Sequence, residues 1–151
     1  MTDTTPSAQG SAARAARAPG VVVERTMRGS ASELYRAWTE GFDRWFAVPG
    51  TVVMDACVGR PFYFETEFEG AHHPHYGRFV TLEPPRRLAL TWVTTETGGA
   101  ETVVTVELTE LRAGCLLRLS HSGFLDEPAR RRHEEAWPRV LARMDERLSA
   151  P

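Results

Sequence analysis

The chain contains no lysine: every one of its 18 basic residues is arginine. No single site demands a guanidinium at every cationic position, so we read this as the coding bias of a GC-rich genome. Only two cysteines occur, Cys57 and Cys115, with neither C-x-x-C nor zinc-knuckle spacing, and this excludes a disulfide framework or a thiolate metal site as the organising principle. No apolar run approaches the length that spans a bilayer. A formal net charge of −2 gives no overall attraction to nucleic-acid phosphates or anionic membranes. The first twenty residues, MTDTTPSAQGSAARAARAPG, have no large apolar side chain after Met1, so they lack the core of a secretory signal. They are expected to form a disordered tail before one domain spanning 21–149, and the reduced thiols suggest a cytoplasmic protein.

What is present is ordinary globular material. Apolar residues make up 42% of 151, enough for one hydrophobic core. VVVERTM opens as a β-branched strand. In SASELYRAW, Ser30 with Glu33 three residues on forms a capping box, and Leu34, Ala37 and Trp38 share a helical face. GFDRWF is long enough for one turn, with Asp43 as its expected cap and Trp45 and Phe46 turned inward. From 51 to 121 the pattern becomes strand-like in six runs: TVVMDAC, RPFYFETEF, HYGRFVTL, RRLALTWVTT, ETVVTVELTEL and CLLRLSHS. Short connections between them imply an antiparallel meander. Alternation places Phe62 and Phe64, then Leu88, Leu90 and Trp92, then Val104, Val106 and Leu108 on an inner face. His121 shares that parity with Leu117 and Leu119.

After Asp126 the period returns to that of a helix. Ala129, His133, Ala136, Trp137, Val140, Leu141, Met144 and Leu148 form one stripe, interrupted in backbone bonding by Pro138, which is expected to bend the axis. The ARRRHEE run mixes its arginines with glutamates and reads as a solvated face. Seven antiparallel strands with one apolar face need a cover, and this last helix is the only element long enough to supply it. The fold class is α+β.

The blocks WFAVPGTV, VGRPFYFE, YGRFVTLEPPRRLALTW, ETVVTVELTE, GCLLRLSHSGF and HEEAWPRVLARMDERL, in that order, resemble the family of activator of Hsp90 ATPase homologues (AHSA1-like) within the START-like, or SRPBCC, superfamily. The resemblance implies a helix-grip fold: a seven-stranded curved antiparallel sheet wrapped around a long C-terminal helix, with a cavity between them. EGFDRWF and AWPRVL also resemble the self-sacrifice resistance protein for the enediyne calicheamicin, of the same superfamily. Members bind, carry, cyclise or interact, so chemistry has to be read from the site.

Two groups of residues compete for that role. EGAHHPHYGRF holds His72, His73 and His75. Pro74 breaks their pairing and no H-E-x-x-H stands nearby, so the stretch reads as a polar hairpin tip rather than a metal site. The aromatics Trp38, Trp45, Phe62, Phe64, Phe79, Trp92, Phe124 and Trp137, with Leu141, are expected to line an apolar ligand pocket. Tyr76, Arg78 and His121 are its candidate polar groups. The expected partner is a small apolar or aromatic molecule, with no nucleic acid, membrane, metal or cofactor. The alternatives are a cyclase or dehydratase in which His121 moves protons and Tyr76 or Arg78 stabilises an enolate, and a co-chaperone or self-resistance type of interaction protein.

Overall fold

The computed structural model describes residues 19–150; most of the expected N-terminal tail lies outside them. Six strands form one antiparallel sheet: β1 (Val21–Met27), β2 (Pro61–Phe68), β3 (Ala71–Glu83), β4 (Arg87–Trp92), β5 (Thr102–Glu110) and β6 (Cys115–Ser122). Their order is β1-β6-β5-β4-β3-β2. A short helix, α1 (Ala31–Thr39), and a single 3-10 turn at Phe42–Arg44 follow β1, and the long helix α2 (Glu127–Ser149) closes the chain.

The expected seventh strand at TVVMDAC does not form. Val53 exchanges backbone hydrogen bonds with Tyr63, at 2.8 and 2.9 Å, but the chain turns at once, with the Cys57 amide donating to the Asp55 carbonyl. One residue pair on the edge of β2 is a bridge, not a ladder. The polar tip is shorter than 69–74. Glu69 and Gly70, with φ of 52° and 80°, make the turn alone, the left-handed pair that matches the twist of a two-residue hairpin. His72, His73 and His75 therefore sit within β3, opposite Glu67, Thr66 and Phe64. Pro74 is tolerated there because its nitrogen points away from β2. Tyr76, two residues on and facing the same edge, bonds to Val93 just past the end of β4, and no strand of the sheet lies beyond Val93 to need a donor at Pro74.

Inner-face rows run across the sheet as the alternation requires. Leu90 lies opposite Val104, which lies opposite His121; Leu88, Val106 and Leu119 form the next row. The capping box forms at α1, where the Ser30 hydroxyl accepts from the Glu33 amide at 3.1 Å and Glu33 accepts from the Ser30 amide at 2.9 Å. Glu110 of β5 accepts the Ala31 amide at 2.9 Å, so the sheet holds the same helix end. Asp126 caps α2 through the Ala129 amide. Asp43 does not cap the 3-10 turn; Gly41 occupies that position without a side-chain bond. Pro138 lies inside α2 on its exposed side, where the carbonyl left without a donor is not shut into the core.

Two local features fix the elements against each other. Asp145 near the end of α2 is 5% exposed, accepts the Arg28 amide at 2.9 Å and contacts the Arg25 and Arg28 guanidinium groups. At Gly77 of β3 a Cβ would stand 2.0 Å from the Thr91 carbonyl and 2.7 Å from the Phe62 ring, so the bare backbone is what lets Phe62 lie across the strand. Replacing Asp145 with Ala removes a buried carboxylate that holds the Arg28 amide and two guanidinium groups, and is expected to cost about 2 kcal/mol. Gly77→Ala overpacks the core and is expected to cost about 3 kcal/mol. Urea denaturation of each variant measures both losses.

A cleft between the sheet and the C-terminal helix

The space on the concave face is divided in two. Around Trp38 and the 3-10 turn it is filled by rings. Phe42 stacks on Phe64 at 4.6 Å and on Trp45 at 5.4 Å, and Trp38 meets Trp45 at 5.3 Å. Trp38, Trp45, Phe64, Phe79, Phe124 and Leu141 have no exposed surface, and Phe62 has 4%. These residues, expected to line a pocket, form packed core instead. The physical reason is the turn at Phe42–Arg44, which tucks Phe42 and Trp45 into the volume that the alternation alone leaves open.

Beyond that core, between α2 and the outer part of β2, β3 and β4, a cleft of about 470 Å³ remains. Trp92 and Trp137, 5.6 Å apart, stand at its inner end, and Phe46, Phe68 and Val140 extend the apolar lining. Phe46 stacks on Trp92 at 6.2 Å and is met edge-on by His75 at 5.6 Å. Of the residues expected to bind a ligand, Trp92 and Trp137 border this space. Tyr76 and Arg78 do not. Both project from the opposite face of β3, where Tyr76 packs on Tyr63 and Arg78 reaches Glu101 at 3.8 Å. The register places Tyr76 against Tyr63 and His75 against Phe64, which assigns the inward face to the histidine.

His121 is fully buried and both ring nitrogens are committed. Trp137 Nε1–H donates to His121 Nδ1 at 3.0 Å, so the proton resides on Nε2, 2.7 Å from Thr102 Oγ1, and the threonine hydroxyl donates onward to the Trp92 carbonyl at 2.6 Å. Burial, with His133 nearby, pulls the His121 pKa down to about 2. A group with no exposed surface and no free lone pair does not serve as a base for a substrate in the cleft. The proton-moving role expected of His121 under the enzymatic alternative is therefore not one this geometry provides.

Three histidines outside that chain border the cleft: His73, His75 and His133. His75 Nδ1 bonds the His73 carbonyl at 2.9 Å and His133 Nδ1 bonds the Ala129 carbonyl at 2.8 Å. Burial lowers the His75 pKa to about 4 and the His133 pKa below its ordinary value. His72 points to the other face and pairs with Glu65 at 2.7 Å. Among the described residues, no three histidine, cysteine or acidic side chains converge as metal ligands. The sequence signal for the cleft histidines was their parity with Phe79, masked by the hairpin register; His133 already stood in the apolar stripe.

An open six-stranded antiparallel sheet closed by a long C-terminal helix, with a cleft between them, defines a helix-grip protein of the START-like class. Residues 28–149 match the family described as activator of Hsp90 ATPase homolog 1-like protein, and the chain belongs to that family. A Chromobacterium violaceum protein has the same fold at 22% identity, with a TM-score of 0.74 over 88% of this chain and 99% of its own. A Mesorhizobium loti protein is 26% identical, with a TM-score of 0.66 over 85% and 96%. The AHSA1-like protein from Aeromonas hydrophila is 21% identical, with a TM-score of 0.66 over 85% and 91%. No curated protein matches the chain. Among the described residues no helix is long and apolar enough to cross a membrane.

The lowered histidine pKa values set a sign for acid stability. Each folded value lies below the ordinary 6.5, so on acidification the unfolded chain takes up protons first. The stabilisation is complete above pH 6.5 and is lost as pH falls, towards about 4 for His75 and about 2 for His121. At pH 5 the expected loss is about 2 kcal/mol for each of these two histidines relative to pH 7.5. Urea midpoints across this range check it, and His75→Phe is expected to flatten the slope.

Proposed function

We propose that the protein binds a small apolar or aromatic molecule in the cleft between the sheet and α2. The observation that carries this reading is the unfilled volume of about 470 Å³ beside two indoles, next to a core closed by ring-on-ring packing. That size falls within the range of small-molecule pockets, whose walls are apolar with a few placed polar groups. The family's description names activation of the Hsp90 ATPase, a protein partner; the apolar lining supports a small molecule as occupant.

Trp92 and Trp137 serve as reporters because a planar ligand against them quenches their emission. Aromatic probes such as 2-methoxynaphthalene are expected to do so saturably. Val140 is half-buried on the α2 side of the cleft and outside the fully buried core, so Val140→Trp fills the space at little cost to the fold. This variant is expected to lose at least tenfold in probe affinity while its thermal midpoint stays near that of the parent. Unchanged affinity in a folded Val140→Trp protein refutes the cleft as the binding place.

A further inference from the structure

The cleft's polar groups divide into a rim and an interior, and only the interior is selective. At the rim, Glu67, Glu96 and Glu135 are equalled in number by Arg132, Arg139 and Arg143, and Arg132 is held by Glu96 at 2.9 Å. Such a border favours neither an anion nor a cation. Inside it stand His75 and His133, each 8% exposed. Both have spent the Nδ1 proton on a main-chain carbonyl, at 2.9 and 2.8 Å. An imidazole whose Nδ1 carries the proton is left with a bare lone pair on Nε2. Among the described residues neither Nε2 has a hydrogen-bond partner, and both histidines line the cleft. His73 adds a further Nε2 that is buried without a partner.

The rings around these acceptors are held firmly. His75 stacks on Phe64 at 4.8 Å and meets Trp92 edge-on at 5.1 Å; His133 packs on Phe124 at 4.9 Å and on His121 at 4.8 Å. An acceptor at the wall of a cleft that has no donor from the protein is available to a ligand that supplies one. Resting on the reading that the cleft binds an aromatic molecule, we propose that it selects neutral, hydroxylated aromatics, whose O–H groups donate to Nε2 of His75 and His133 while the ring lies against Trp92 and Trp137. Phenol-type bicyclic compounds are the chemical class. Fully apolar hydrocarbons and O-methylated analogues fit the walls but leave both imidazoles unanswered.

A matched pair of probes isolates this claim: 2-naphthol and 2-methoxynaphthalene share the ring system and differ in the donor. Titration at pH 8, followed by tryptophan quenching or calorimetry, is expected to give about tenfold tighter binding for the naphthol. His75→Phe and His133→Leu are each expected to reduce that ratio. His133→Gln, which keeps an acceptor near the Nε2 position, is expected to retain the ratio. Equal affinities of the unaltered protein for the two probes overturn the proposal and leave the cleft reading standing; binding of neither probe overturns both. A preference for naphthol that survives in both His75→Phe and His133→Leu also overturns it. The unaltered protein's ratio decides the matter even where a variant is unstable, and the cooperativity of thermal unfolding identifies such a variant.

Discussion

The arrangement of the cleft depends on a chain of hydrogen bonds through a buried histidine. Trp137 on the helix donates to His121 on β6, His121 donates to Thr102 on β5, and Thr102 donates to the carbonyl of Trp92 on β4. Four residues from four elements are tied in one line. The chain fixes the His121 tautomer, sets the rotation of the helix about its axis and holds the two indoles side by side at the inner end of the cleft. Bonds of this kind contribute about 1 kcal/mol each, but breaking one strands a buried polar group at greater cost, which makes the arrangement unforgiving.

The second constraint is volume. A curved sheet and one helix leave more room than a domain of this size needs, and the chain fills part of it with the Phe42–Arg44 turn. Phe42 enters between Phe64 and Trp45, and Trp38 closes against Trp45 from above. Beside that core, space survives where the β2–β3 hairpin extends past the end of β4 and the helix passes over it. The cleft is thus a remainder, bounded on one side by packed rings and on the other by solvent. Its polar interior consists of imidazoles that burial keeps neutral, which suits them to accept hydrogen bonds and not to carry charge.

Much of the fold is legible from local patterns. The capping box at Ser30 and Glu33, the alternation of Leu88, Leu90 and Trp92, and the helical stripe from Ala129 to Leu148 each state an element and its buried face within a few residues. The six ordered blocks that resemble the activator family agree with them. The candidate site was less legible. Trp92 and Trp137 are legible because they belong to long periodic elements, whereas the face of the candidates Tyr76 and Arg78 hangs on the register of the hairpin before them, and the two-residue turn puts both outside the cleft. One residue of register reverses a strand, and turn length is a property of backbone geometry at Glu69 and Gly70 that the residue types only weakly indicate.

Sequence by itself determined the buried faces of the long periodic elements, because burial there follows from hydrophobic periodicity and is written locally. Tertiary structure alone decided which buried rings touch one another and which border empty space. That distinction turns on how a 3-10 turn, a hairpin and a helix from separate parts of the chain share one volume. The same aromatic residue serves as core or as wall according to what happens to occupy the space in front of it, and no pattern within its own segment records that occupant.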